Sequence, residues 1–181
     1  MSVLLPLKLS MNDHEIIKNY ALKNYKNREI FMHNGNGRQF VNLLKRSDDI
    51  KFIAERILLE KMKEFGIKHW KEEPVFGVFI GVNEKNAFVH DHSDSADESE
   101  CHLRLNFMIQ KPINGGMPIL NGEKIFVDEG NCWINLANIW KHSSTPVVGD
   151  RVRIVLSVGA LVSNKEKSLL PYMNWETINV D

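Results

Sequence analysis

Two periodicities divide the chain. Between Ser47 and Gly66 the apolar residues Ile50, Ile53, Ala54, Ile57, Leu58, Met62 and Phe65 recur at helical spacing, with Glu and Lys mainly on the other side. Ser47, Asp48 and Asp49 supply capping chemistry at its start and Gly66 a stop at its end. An earlier helix is predicted from Asn12, as N-cap with Glu15 three residues on, to about Tyr25, with Ile16, Ile17, Tyr20 and Ala21 as its apolar face. Asn34-Gly35-Asn36-Gly37 is turn chemistry, and no Gly-Lys-Ser/Thr follows to make it a phosphate loop. A short helix is predicted through Phe40, Val41, Leu43 and Leu44.

From Pro74 onward the pattern changes to strands. Val75–Val82 is a β-branched and aromatic run, and about seven or eight short strand-like segments are predicted from there on. Gly, Asn and Pro punctuate them at Ile113–Met117, Leu120–Gly122, Asp128–Asn131 and Pro146–Asp150. Helices first and strands after predict a mainly β, α+β domain: a barrel or sandwich buttressed by N-terminal helices. The expected organisation is a single domain over 1–181. Residues 1–73 would be mostly helical support, 74–162 the β core, and 163–181 a tail. That tail, carrying Leu169, Leu170, Tyr172 and Trp175, is expected to pack back on the body.

Composition narrows the function classes. Lys+Arg and Asp+Glu balance at 23 each, so nothing marks a nucleic-acid surface. Cys101 and Cys132 make neither a disulfide framework nor a C-x-x-C metal site. The longest apolar run, near Ile154–Val162, is too short to span a bilayer, and Met1–Leu9 has no basic lead-in or cleavage site. A reduced, soluble, cytoplasmic protein is the expectation.

Side chains alternate across a strand, which makes two segments informative. Leu103, Leu105, Phe107 and Ile109 share one face, leaving His102, Arg104 and Asn106 on the other. Val152, Ile154, Leu156 and Val158 likewise leave Arg151 and Arg153 opposite. A polar face is ordinarily a solvated one. Two such faces flanking a histidine cluster, with helices available to cover the apolar sides, point instead into a barrel mouth that holds a charged ligand.

The cluster is His90-Asp91-His92-Ser93-Asp94, joined far downstream by His142. His92-x-Asp94 with a distant His142 is a two-histidine, one-carboxylate pattern. Two neutral imidazoles and a carboxylate occupy one face of Fe(II) and leave three positions for a bidentate 2-oxo acid and dioxygen. His-x-Asp alone is a weak signal. The added constraint is a basic residue nine positions after His142, at the start of an apolar strand. An arginine there meets a terminal carboxylate with two parallel hydrogen bonds.

These residues resemble the Fe(II)/2-oxoglutarate-dependent oxygenases, and within them the aspartyl/asparaginyl β-hydroxylase-like group. The resemblance spans about Val89–Leu161. It is carried by His92-Ser93-Asp94, Leu103-Arg104-Leu105, Gly130 before a strand, His142, and Arg151-Val152-Arg153-Ile154-Val155-Leu156. It implies a double-stranded β-helix in which His92, Asp94 and His142 bind iron and Arg151 holds the distal carboxylate of 2-oxoglutarate. Arg153 competes with Arg151 for that role. Arg104 falls where relatives often carry a second carboxylate-binding arginine, Asn106 where some have histidine, and Ser157 where the closing strand often ends in aspartate. The implied reaction couples decarboxylation of 2-oxoglutarate to succinate and CO2 with dioxygen-driven hydroxylation of a substrate carbon. Retention of Asp94 argues against halogenation. An amino-acid-like small molecule or a protein side chain is the implied substrate.

Asp91, Asp97, Glu98 and Glu100 crowd the loop after the motif, either as a solvated acidic loop or as a lid drawing in a cationic substrate. A cupin-like metal protein using His90, His92, His102 and His142 without 2-oxoglutarate is the alternative function, although no Glu at the usual short spacing and no Pro-x-Gly before His142 support it. A non-catalytic barrel with structural histidines is a third. A serine hydrolase built on Ser143 or Ser144 lacks nucleophile-elbow glycines.

Overall fold

The computed structural model describes residues 4–169. The first helix, Met11–Asn24 (α1), starts two residues before the predicted cap, at Ser10, whose Oγ accepts from the Asp13 amide at 3.1 Å. Asp13 is buried, and its carboxylate takes the Arg56 guanidinium of the second helix, Ile50–Glu64 (α2), tying the two helices together. Burial of the Asp13 carboxyl opposes its ionisation, yet the hydrogen bond from Arg56 holds its pKa below the ordinary value. On α2 the predicted face is the buried one: Ile50, Ala54, Ile57, Leu58 and Met62 enter the core. Gly66 ends the helix with φ of +68°, a conformation glycine adopts without penalty.

Residues 1–73 contribute four strands besides α1 and α2. Leu4–Lys8 (β1) forms an edge strand, Met32–Asn34 (β2) and Arg38–Asn42 (β3) form a hairpin, and Trp70–Glu72 (β4) joins the sheet later. The predicted helix through Phe40–Leu44 is therefore strand β3 followed by a 3-10 turn at Leu43–Lys45. Its burial alternates at period two, and the Asn34–Gly37 turn sets it antiparallel to β2.

Nine strands follow Pro74. They are Val78–Asn83 (β5), Glu100–Gln110 (β6), Asn114–Gly115 (β7), Pro118–Leu120 (β8), Glu123–Lys124 (β9), Asn131–Leu136 (β10), His142–Ser144 (β11), Val147–Val148 (β12) and Arg153–Ser163 (β13). β6 and β13 run for 11 residues each and are not short. The major sheet has the order β1-β10-β6-β13-β5-β3-β2, with β4 also on β13. A minor sheet, β11-β8-β9, and the pair β12-β7 stand apart from it. This antiparallel arrangement is the double-stranded β-helix expected from the sequence.

The two faces of the major sheet differ in kind. Val78, Ile80 and Val82 of β5 join Ile154, Leu156 and Val158 of β13 and Leu103, Leu105, Phe107 and Ile109 of β6 in the core that α1 and α2 cover. The register sets Arg38 opposite Asn83 and Asn83 opposite Arg153, so these three share the other face. Ser157, Asn106 and Trp133 form a second row on that face, and Gly159, Arg104 and Asn135 a third. The beginning of the tail packs back: the carboxylate of Glu166 accepts from the amides of Lys68 and His69. Leu170, Tyr172 and Trp175 lie outside the described residues, and nothing is described of the Leu169 side chain.

Candidate metal centre and arginine-lined cavity

His92 and His142 lie in facing backbone segments joined by a reciprocal bridge, His92 N to His142 O at 3.2 Å and His142 N to His92 O at 2.8 Å. The Asp94 amide donates to Ala137 O at 2.7 Å, so all three side chains hang from hydrogen-bonded backbone. His92 Nδ1 lies 2.7 Å from the His90 carbonyl and His142 Nδ1 lies 3.2 Å from that of Trp140. A carbonyl only accepts, so each Nδ1 carries the proton and each Nε2 presents a lone pair. Those Nε2 atoms stand 3.5 Å and 4.0 Å from Asp94 Oδ1. One ligand atom from each of the three residues falls within 4.8 Å of the others. Burial pushes the His142 imidazole below its ordinary pKa, favouring the neutral, metal-binding form.

Behind the carboxylate is a buried support. Asp94 Oδ2 has His102 Nδ1 at 3.4 Å and Arg104 Nε at 3.9 Å. Arg104 in turn donates Nη2 to Glu73 Oε2 at 2.7 Å and Nη1 to the Gly77 carbonyl at 3.2 Å. Glu73 also accepts the amides of Val75, Phe76 and Gly77. Burial opposes ionisation of this carboxyl, but the three amides and Arg104 outweigh it and lower its pKa. Gly159 leaves space for the guanidinium, since a Cβ at that position would stand 2.6 Å from Arg104 Nη1. Burial and the Arg104 charge hold His102 neutral, with its pKa lowered to about 4.

A cavity of about 340 Å³ opens beside the trio, between the polar face of the major sheet and the minor sheet. His92, Asp94 and His142 line it, with Arg38, Arg104, Asn106 and Arg153. Arg153 is buried, with its Cζ 5.9 Å from the Trp133 ring and its Nε without a hydrogen-bond partner. Its stem runs past Gly116, where a Cβ would meet Arg153 Cδ at 2.9 Å. Desolvation lowers the Arg153 pKa to about 10, and the charge of Arg38 adds to the effect, yet the group stays cationic at neutral pH.

The structure divides the residues predicted from sequence. It brings together His92, Asp94, His142, Arg104, Asn106 and Arg153. It leaves out Arg151, which is exposed and ion-paired to Glu129 at 2.7 Å. Strict alternation places both arginines on one face, but β13 begins only at Arg153, and Arg151 belongs to the preceding turn. Arg104 is present yet already has a carboxylate partner in Glu73. His90 packs its ring on Phe88, with centroids 4.5 Å apart, so a four-histidine cluster is not assembled. The acidic loop does not line the cavity: Asp97 bonds Ser99, and Glu100 pairs with Lys71. Sequence reasoning missed Arg38, Phe40, Glu73, Asn83 and Asn135. The alternation Arg38, Phe40, Asn42 just after a glycine turn was the available signal for the first two.

No protein-family model and no curated protein matches the chain. Solved structures share its fold. A Pseudomonas putida prolyl-4-hydroxylase aligns with a TM-score of 0.61 at 12% identity, over 88% of this chain and 91% of its own. A Trichoplax adhaerens prolyl hydroxylase, in complex with a hypoxia inducible factor oxygen degradation domain peptide fragment, aligns at 0.64 and 13%, over 92% and 86%. HygX from Streptomyces hygroscopicus, with nickel, 2-oxoglutarate and hygromycin B bound, aligns at 0.65 and 9%, over 89% and 82%. This chain shares the fold of these hydroxylase and HygX structures.

Proposed function

We propose that this chain is an Fe(II)- and 2-oxoglutarate-dependent oxygenase that hydroxylates an organic substrate. The observation that carries the reading is the convergence of His92, Asp94 and His142 at the edge of a cavity that also contains the buried Arg153, whose Nε has no hydrogen-bond partner. The donor set fits the metal: two neutral imidazoles and one carboxylate suit Fe(II), and the trio has no fourth member among the described residues. Fe(II) held there would supply dioxygen activation driven by decarboxylation of the 2-oxo acid. A bound HygX, sharing only the fold, contains nickel and 2-oxoglutarate together. Placement in the aspartyl/asparaginyl β-hydroxylase-like group rests on the motif residues alone.

The roles of the chain's own groups follow from their surroundings. The His90 and Trp140 carbonyls fix the two histidines as Nε2 ligands. Arg104 and His102 lie behind Asp94 Oδ2, at 3.9 Å and 3.4 Å, Oδ1 would be available to the cation, and Glu73 keeps Arg104 in place. Arg153 receives the distal carboxylate of 2-oxoglutarate, where a buried guanidinium gains a charge-assisted pair. Trp133, Val155 and Leu120 line the same cavity and limit water around the co-substrate. Succinate released from 2-oxoglutarate in the presence of Fe(II) and dioxygen is the direct test. The wild-type protein should form succinate, and Asp94→Ala should form none; equal turnover by both would remove the assignment.

A further inference from the structure

The cavity holds more positive charge than the metal and its co-substrate require. Asp94 is the single acid among its lining residues, and Arg104 is neutralised by Glu73. Arg38 and Arg153 also line it; Arg153 Nε has no hydrogen-bond partner, and neither guanidinium is in an ion pair with an acid among the described residues. With a divalent cation in place, one carboxylate faces a dication and two guanidiniums, which leaves three positive charges uncompensated. The dianion of 2-oxoglutarate cancels two of them. One remains, and burying an unpaired charge is costly.

The register locates that remaining charge. Arg38, Asn83 and Arg153 form one row across β3, β5 and β13. Adjacent strands lie about 4.8 Å apart, which puts Arg38 roughly 10 Å from Arg153 across the sheet. Asn83 Nδ2, buried between them, is a donor without a partner. The row therefore offers donors at three successive strands. Arg38 lines the same cavity as the metal trio and Arg153. Beside it, Phe40 on the same strand face packs edge-on against Phe76 at 5.2 Å, and Phe76 contacts Phe79 at 5.7 Å. All three rings line the cavity.

Resting on the oxygenase reading, we propose that Arg38 is a substrate anchor, and that the substrate is an amphipathic carboxylic acid. Its carboxylate pairs with Arg38, and its apolar body packs on Phe40, Phe76 and Phe79. A cationic substrate would meet the wrong sign of charge on this wall.

A matched pair of probes tests this: 3-phenylpropanoate and its neutral amide, 3-phenylpropanamide, titrated calorimetrically into protein loaded with Mn(II) and 2-oxoglutarate. The carboxylate should bind roughly 30-fold more tightly than the amide, the gain expected when a half-buried guanidinium pairs with a carboxylate. Arg38→Met should abolish that preference, Arg38→Lys should retain part of it, and both should keep the wild-type affinity for 2-oxoglutarate. Equal binding of acid and amide, or binding of neither, would overturn the proposal. So would a preference that survives in Arg38→Met, or a loss of 2-oxoglutarate affinity in that variant, which would make Arg38 part of the co-substrate clamp. Failure of the wild-type protein to bind 2-oxoglutarate is a separate result, and it would count against the oxygenase reading itself.

Discussion

At the scale of single residues, the site depends on which charges are paired and which are left over. Arg151 and Arg153 differ by two positions and by everything else that matters: one is exposed beside Glu129, the other buried in the cavity without a partner. Arg153→Met should raise the dissociation constant of 2-oxoglutarate by roughly 100-fold, whereas Arg151→Met should change it by less than about two-fold, because exposed ion pairs contribute little. Calorimetric titration of the Mn(II)-loaded variants reads this, and an inverted order would return the role to Arg151. Glu73 makes a second, pH-dependent case. Burial works against its charge, but its amide and Arg104 hydrogen bonds depress its folded pKa. Its stabilisation is therefore complete above the ordinary value of 4.5 and lost as pH falls through the depressed one. Glu73→Gln should cost about 3 kcal/mol at neutral pH by leaving Arg104 unpaired, and should flatten the acid limb of stability against pH. Urea midpoints across pH 3 to 7 would show it; parallel curves for both proteins would refute it.

At the scale of elements, legibility followed periodicity. The α2 face could be read in full because seven apolar residues at helical spacing allow no second solution. β6 gave up its polar face for the same reason, at period two, while β13 gave up Arg153 but not the position of Arg151, which precedes the strand. The segment Phe40–Leu44 failed because it is too short for periodicity to distinguish a turn of helix from a strand, and only pairing with β2 and β5 decides it. That failure hid Arg38 and Phe40, two residues of the cavity wall. Strands β1 to β4 escape prediction for a related reason: each has five residues or fewer, too few for a period-two pattern to stand out. Gly159 shows how tightly β13 and Arg104 are fitted. Gly159→Ala should destabilise the protein by about 2 kcal/mol, the range of overpacking in a filled interior, read as a shift of the denaturant midpoint. A neutral result would mean that Arg104 has room to move.

At the scale of the whole molecule, the helices and the cavity lie on opposite faces of one sheet. α1 and α2 cover the apolar side, which frees the other side to carry arginine, asparagine and serine toward the cavity. The chain positions of the site residues, from Arg38 on β3 to Arg153 on β13, converge only because the strands interleave across the sheet. No described helix is long and apolar enough to cross a membrane. The histidines and Asp94 could be singled out in the sequence only through their order, with a distant histidine and a basic residue after it at the start of an apolar strand. The supporting Glu73 could not, since nothing local distinguishes a buried glutamate from a solvated one. On the proposed reading His92, Asp94 and His142 hold a metal that 2-oxoglutarate chelates, with Arg153 at the far end of the co-substrate. Anaerobic addition of 2-oxoglutarate to the Fe(II)-loaded protein tests it most directly. The account predicts a weak visible charge-transfer band that saturates near one equivalent and is lost in His142→Ala. An unchanged spectrum in the wild-type protein, or the same band in the variant, would contradict it.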